Sequence, residues 1–291
     1  MNKSGIIIKG VAGTYTIRCD DGLYKCRARG VFRNKNITPL VGDTCKILIS
    51  DSKKKLGTID AIAARSNELK RPPVANIDQA IITIASKEPE FHPGLLDRFL
   101  IMAAHEHIPA IICVNKTDLA ISDAFKIYQD AGYVVLFTST YAGHGLDELK
   151  MHMRGKINVL AGPSGVGKSS LLNALAAHLD LETGDLSQKL ARGKHTTRHT
   201  EIFMLTDDPA DGYCVDTPGF TSLDIFSFNK SDIQMGFQEF NEFRQTCRFK
   251  NCMHHKEIDC GVKEQVGKTI HPSRYESYIK LLEADPYETK Y

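Results

Sequence analysis

Residues 162 to 170 read Gly162-Pro163-Ser164-Gly165-Val166-Gly167-Lys168-Ser169-Ser170. Gly162, Gly167, Lys168 and Ser169 match the spacing G-x-x-x-x-G-K-[ST] of a phosphate-binding loop. Glycines let the backbone approach phosphate oxygens, and a helix N-terminus behind them favours negative charge. Lys168 would reach the outer phosphates as a solvent-side charge, and the Ser169 hydroxyl would ligate Mg²⁺. The tetrad Asn115-Lys116-Thr117-Asp118 addresses the base. An ionised Asp118 only accepts hydrogen bonds. It suits the ring N–H and exocyclic amine of guanine, a pair of donors that adenine does not present. Asp216-Thr217-Pro218-Gly219 supplies a third element, with Asp216 placed to hold Mg²⁺ through water.

Two further groups have chemistry in their residue types. Cys247, Cys252, His254 and Cys260 form a Cys₃His set with C-x₄-C-x-H-x₅-C spacing, suited to one tetrahedral Zn²⁺. Four protein ligands leave no position for water, so that zinc is expected to be structural. His255 is redundant beside it. Ala191 to Arg198 is polar and cationic, lies between the phosphate loop and Asp216, and contains His195, Thr196 and Thr197. Its position is that of a switch segment, where a threonine would complete the Mg²⁺ shell.

The elements that must position these groups are legible as apolar runs. Ile157 to Ala161 is a buried strand entering the phosphate loop, and Ser170 to Leu179 a helix with Leu171, Leu172 and Leu175 on one face. Ala110 to Val114 is a strand delivering the Asn115 tetrad at its C-terminal end, where open α/β sheets bind ligands. Asp78 to Ala85, Val134 to Phe137 and Gly212 to Val215 read as further strands. Leu95 to Ala103, Asp123 to Ala131 and Leu146 to Met153 read as helices, Gly132 stopping the second. Val134 to Phe137 delivers Thr138-Ser139, a short loop of base-contacting type. Strand and helix alternate as a mostly parallel sheet requires.

Upstream, residues 1–66 are short strands and turns. Tyr24, Cys26 and Ala28 alternate with Lys25, Arg27 and Arg29, which puts three cations on one face. Five strands in this length fit a small closed barrel of OB type. Lys70-Arg71-Pro72-Pro73 signals a linker. Downstream, Asp232 to Phe243 and Ser273 to Leu282 are expected to be helices around the cysteine-histidine set. The domains are therefore a β-barrel at 1–66, an α/β nucleotide domain at 67–225 and a mainly helical zinc domain at 226–291.

The charge is unevenly spread. Residues 1–66 carry 13 Lys and Arg against 5 Asp and Glu, whereas residues 67–225 carry 14 against 20. A basic barrel with Arg18, Lys25, Arg27, Arg29, Arg33 and Lys35 suggests an RNA partner, against the plainer reading of a solvated charged face. No apolar run would span a bilayer, and the N-terminus lacks a signal-peptide stretch, so a cytoplasmic protein is expected. Cys19, Cys26, Cys45, Cys113 and Cys214 are dispersed in strand-like runs and read as reduced core residues.

The tetrad at 115–118 precedes the phosphate loop, the reverse of the Ras-like order. With that permuted order, the basic barrel and the Cys₃His set, the chain resembles the RsgA (YjeQ, YloQ) family of circularly permuted GTPases over essentially its whole length. The resemblance implies a bacterial cytosolic enzyme that hydrolyses GTP to GDP and phosphate. It implies binding to the 30S ribosomal subunit and 16S rRNA late in subunit maturation, with turnover stimulated by that subunit. It implies an N-terminal OB-fold, a central permuted GTPase and a C-terminal zinc domain, acting as a monomer. The residue after Asp216-Thr217-Pro218-Gly219 is Phe220, which cannot orient the attacking water as the glutamine of Ras-like enzymes does. The family points instead to the switch histidine, here His195, as the catalytic residue; an rRNA contact or an exposed loop side chain is the other reading. Two other functions stay open: a guanylate-kinase-like phosphotransferase, which uses a similar loop, and a GTP-gated RNA-binding scaffold with negligible turnover.

Overall fold

The computed structural model describes residues 2–34, 37–70, 73–176, 201–216 and 229–284. His195, Thr196, Thr197 and residues 217–220 lie outside this set, as do Lys35, Arg71 and Pro72. The chain forms two compact units: residues 1–79, 148–160 and 169–221 make one, and residues 80–147, 161–168 and 222–291 the other.

The first unit opens with five strands, β1 (Asn2–Val11), β2 (Thr14–Cys19), β3 (Gly22–Ala28), β4 (Thr44–Asp51) and β5 (Leu56–Ile62). β1 pairs with β2, β2 with β3 and β4 with β5, all antiparallel, while β3 and β5 run parallel. β1 also pairs with β4, which closes the barrel and removes its free edges. Alternation does the sorting: Ile7, Ile17, Tyr24, Cys26, Ile47 and Ile59 are buried inside, whereas Lys25 and Arg27 face out. Arg29, just past β3, ion-pairs with Asp60. A five-residue helix, α1 (Gly30–Asn34), follows β3; it is too short to leave a periodic signal in the sequence.

The proline-rich stretch after the barrel is not a linker. The residues on either side of it pair as antiparallel strands, β6 (Glu68–Lys70) and β7 (Pro73–Ala75), with Lys70 opposite Pro73. Leu69, Val74 and Ala75 are buried, and the barrel is tied to them. Asp43, fully buried, accepts from Arg65 Nε at 2.7 Å and Nη2 at 2.8 Å and from the Leu40 N–H at 2.7 Å. The Asn76 amide donates to the Gly42 carbonyl at 3.0 Å. Proline marks a flexible joint only where nothing packs on its neighbours, and here they are core residues.

Three more strands belong to this unit: β11 (Ile157–Ala161), β12 (Glu201–Met204) and β13 (Tyr213–Asp216). β13 runs parallel to β11 and antiparallel to β12. β12 departs from the expected alternation of strand and helix. The β11–β13 pair is fixed by Asn158, fully buried, whose amide donates to the Tyr213 carbonyl at 2.9 Å and the Met153 carbonyl at 3.0 Å and accepts from Gln79 at 2.6 Å. Helix α4 (Leu146–Met153) enters β11, and α5 (Lys168–Leu175) follows it, burying Leu171, Leu172 and Leu175 as their spacing predicts.

In the second unit β8 (Gln79–Ala85), β9 (Ala110–Asn115) and β10 (Val134–Phe137) are parallel, β9 lying between the others. Every residue of β8 is buried, as a strand covered on both faces must be. Helix α2 (Pro93–His105) connects β8 to β9; a 3₁₀ turn at Asp123–Phe125 and α3 (Lys126–Asp130) connect β9 to β10. The C-terminal part contributes α6 (Lys230–Ile233), α7 (Gly261–Glu264) and α8 (Pro272–Glu283). The helix expected over 232–243 is instead α6 followed by 3₁₀ turns at Gln234–Gly236 and Gln238–Phe240. Gly236 lies in the break and packs so closely on Ile101 that a Cβ there would run into its backbone.

Phe237, Phe240, Val262, Ile270, Tyr278 and Leu282 form one core with Ile101 of α2. A buried ion cluster fixes this packing. Asp97 of α2 accepts from Arg274 and Ser277 of α8 and from Tyr128 of α3 at 3.0 Å. Arg274 also meets Glu239 at 2.7 Å, and its guanidinium lies over the Phe237 ring at 4.4 Å. Burial opposes the Arg274 charge, but the Asp97 and Glu239 carboxylates outweigh it and raise its pKa. Among the described residues no helix is long and apolar enough to cross a membrane.

Candidate nucleotide site and metal centre

The phosphate loop and the base-reading tetrad meet. Gly162 and Gly167 have φ of 137° and 92°, values that favour glycine, and each also lacks room for a Cβ. At Gly162 the obstacle is the Thr83 carbonyl; at Gly167 it is the Asn115 amide. Asn115 is fully buried at the end of β9, and its Nδ2 donates to the Val166 carbonyl at 3.0 Å. Its Oδ1 accepts from the Thr138 hydroxyl at 3.2 Å. One side chain thus cross-links the phosphate loop, the tetrad and the loop after β10.

Asp118 is held from the same side. The Ser139 hydroxyl donates to its carboxylate at 2.5 Å and accepts from the Ala142 N–H at 3.0 Å, so it sets the carboxylate's direction. Thr117 donates to the Thr138 carbonyl from both its N–H, at 3.2 Å, and its hydroxyl, at 3.0 Å. Lys116 has a φ of 62° and donates to the Glu88 carbonyl. The loop after β8 therefore belongs to this site: Glu88 anchors Lys116, and a Cβ on Gly165 would meet Pro89 at 3.8 Å. Nothing in the spacing of residues 86–92 announces that role, because it runs through a backbone carbonyl.

Lys168 departs from expectation. It is not a solvent-side charge but partly buried, donating to the carbonyls of Gly162 at 2.8 Å and Pro163 at 2.6 Å. Burial lowers its pKa to about 8. Its charge is thus held by neutral acceptors in an anion-shaped loop, an arrangement that a phosphate would relieve. Ser169 and Ser170 stand in the first turn of α5, and Asp216 is the last residue of β13.

The candidate metal centre is assembled by turns. Cys247 ends the 3₁₀ turn at Arg244–Thr246, Cys252 and His254 lie in the next loop, and Cys260 immediately precedes α7. His254 takes a φ of 55°, which turns its ring toward the sulfurs. The four ligand atoms lie within 4.8 Å of one another. Cys247 Sγ is 3.8 Å from Cys260 Sγ and 3.6 Å from His254 Nδ1, which lies 3.4 Å from Cys260 Sγ. Ligands at about 2.3 Å from a tetrahedral ion stand about 3.7 Å apart, so the set fits such an ion. Burial pushes the Cys252 thiol up to about 12 and the His254 imidazole down to about 4. A bound cation would draw the thiols to thiolate, and the imidazole is already neutral, as a ligand must be. His255, in line with its redundancy, faces Glu283 instead, with Nε2 at 2.9 Å from the carboxylate. Tyr275 and Tyr278 of α8 donate to the His254 and Met253 carbonyls at 2.7 and 2.5 Å, which fixes the loop from behind. Cys19, Cys26, Cys45, Cys113 and Cys214 are buried and form no disulfide, as read from the sequence.

The RsgA GTPase family profile matches residues 62–226, and that of the RsgA N-terminal domain matches residues 4–59. A protein of Agathobacter rectalis named small ribosomal subunit biogenesis GTPase RsgA is 44% identical, covering 99% of this chain and 100% of its own. One of the same name from Clostridium novyi is 45% identical over 96% of each. Among solved structures, the circularly permuted GTPase YloQ superposes with a TM-score of 0.81 at 32% identity, over 97% of this chain and 94% of its own. YjeQ from Thermotoga maritima gives 0.79 at 34% identity, over 97% and 98%. With identity at this level over full length, and a permuted tetrad joined to its phosphate loop through Asn115, the chain belongs to the RsgA family of circularly permuted GTPases, enzymes that hydrolyse GTP.

Proposed function

We propose that this GTPase acts in biogenesis of the small ribosomal subunit, binding the 30S particle and its 16S rRNA and hydrolysing GTP faster when bound. The observation that carries the nucleotide reading is the Asn115 cross-link, which sets a guanine-type carboxylate, Asp118, at a fixed distance from a phosphate loop. In this reading Asn115, Lys116, Thr117 and Asp118 take the base, and Gly162 through Ser170 take the phosphates. Mg²⁺ would accompany GTP, held by the Ser169 hydroxyl directly and by Asp216 through water, and would supply charge neutralisation at the phosphates. The three working parts are the barrel at 1–66, the GTPase at 67–225 and the metal domain at 226–291. The barrel's exposed cations suit an RNA backbone. The protein works as a cytoplasmic monomer.

The base-reading role has a direct test. Asp118→Asn puts an amide donor where guanine presents donors. GTP affinity is expected to fall by on the order of a hundredfold, while xanthosine triphosphate, which presents an acceptor there, gains. Undiminished preference for GTP in a competition assay would remove the assignment.

Cys247, Cys252, His254 and Cys260 hold one structural Zn²⁺, because thiolate and imidazole donors at tetrahedral spacing select it over a hard cation. Chelation is expected to open residues 229–284 to protease while basal GTP hydrolysis survives. Protein purified without chelators and found free of zinc would contradict the site.

His195 is the catalytic residue of this proposal. Contact of the cationic segment around it with rRNA brings its imidazole to the attacking water. His195→Ala is expected to retain GTP binding and 30S association but to lose most of the stimulated hydrolysis. Turnover measured at saturating 30S decides this, and full stimulation in the variant would return His195 to the status of a loop side chain.

A further inference from the structure

Beside the metal centre lies a cavity of about 350 Å³ that the GTPase reading does not use. Its wall includes Ser231, Gln234, Arg244, Phe249, Lys250 and Asn251, and its floor is the loop of Cys252 and His254. The lining contains two cations and no carboxylate. Arg244 is partly buried and anchored by Nη2 to the Gln234 carbonyl at 2.5 Å, while its Nε is buried without a hydrogen-bond partner. The one carboxylate among the groups acting on it, Glu239, is already bound to Arg274. A guanidinium drawn from water without a counter-ion is costly, and buried charges are ordinarily paired. Three thiolates on a divalent ion would carry one net negative charge against the two cations, so the lining keeps a net positive charge, with Arg244 half-buried and Lys250 exposed at the mouth.

The remaining groups indicate what completes the site. A guanidinium fork, an ammonium, a hydroxyl and two amides together match a phosphate. Phe249 is large, apolar and 47% exposed at the rim, with Arg248 near its ring at 5.6 Å. An exposed aromatic beside a phosphate-type anion site is the pairing that holds one nucleotide, backbone and base together. Two cations suit a single phosphate and not a triphosphate, and the volume lies within the range of small-ligand pockets. We propose that this cavity is a second nucleotide site, taking one nucleoside monophosphate unit with its phosphate on Arg244 and Lys250 and its base on Phe249. The unit comes either as a free mononucleotide or as one residue of a single strand.

The protein has no tryptophan, so Phe249→Trp places a single reporter in the cavity. The full-length variant, zinc-loaded and with GDP saturating the GTPase site, is titrated with cytidine 5′-monophosphate and separately with a short oligocytidylate. Stacking is expected to quench the emission. Quenching by the mononucleotide identifies a free ligand; quenching by the oligomer alone identifies a strand residue. Adding Arg244→Gln or Lys250→Ala should weaken either response about tenfold or more. Metal content is measured in each variant. Should Arg244→Gln lose its metal, Lys250, which is exposed and is not among the four ligands, carries the comparison. Emission unchanged by both ligands at millimolar concentration overturns the proposal, as does quenching that neither cation affects.

Discussion

Lys168→Ala lowers GTP turnover by on the order of a hundredfold or more, the usual cost of removing one preorganised charge from a site of transferring charge. The structure adds a signature that distinguishes this lysine from a structural one. Before nucleotide arrives, Lys168 lies on two carbonyls with its pKa lowered to about 8 by burial. Below that pH the ammonium is present and a phosphate meets a ready partner. As pH rises through about 8 the empty loop loses the proton, and binding must recover it. GTP affinity therefore falls above pH 8, approaching tenfold per unit, with a proton taken up on binding. Calorimetry in buffers of different ionisation enthalpy measures that uptake. Lys168→Arg keeps the charge at all these pH values and should show a flat profile. A wild-type profile as flat as that of Lys168→Arg would mean the lysine is not the group that meets the phosphate.

Arg274→Met destabilises the second unit more than any surface change should. It strands the fully buried Asp97 and the nearly buried Glu239 without their cation. Removing one partner of a buried ion pair typically costs about 3–5 kcal/mol, which corresponds to a drop in melting temperature on the order of 10 °C. The paired substitution Asp97→Leu with Arg274→Met should recover part of that loss, because apolar replacement of both charges removes the desolvation cost as well. Partial recovery is expected because Glu239 remains. Thermal unfolding of the three proteins tests the interaction, and a single variant as stable as the wild type would show that Asp97 and Arg274 contribute nothing to the packing of α8 on α2. Since the same helix carries Tyr275 and Tyr278, which hold the metal loop, the single variant should also release its metal faster to a chelator.

Several features were legible because local chemistry alone imposes them. Phosphate binding demands glycine where the backbone must come close, so the loop from Gly162 to Ser169 announces itself. Four soft ligands within fourteen residues have few uses other than a metal, and the strict alternation from Tyr24 to Arg29 has no reading except a half-buried strand. The order of the tetrad and the phosphate loop along the chain, which is a property of sequence only, revealed the permutation.

What escaped was whatever depends on a neighbour distant in the chain. The stretch Lys70-Arg71-Pro72-Pro73 reads as a linker until Leu69 and Val74 beside it are seen to be buried, because proline itself does not say whether its flanks pack. The helix expected over 232–243 has acceptable periodicity, yet it gives way to 3₁₀ turns where Gly236 packs against Ile101, more than a hundred residues earlier. Lys168 reads as a free charge in any phosphate loop, and only the folded loop presents it with the carbonyls of Gly162 and Pro163. Asp97 and Arg274 are separated by 177 positions and are ordinary helix residues taken singly. The types and spacing of the chemical groups were in the sequence. Their burial, and with it the charge state of Lys168, the pairing of Asp97 with Arg274 and the partnerless Nε of Arg244, arose from tertiary structure, because desolvation is decided by which segments happen to cover a group.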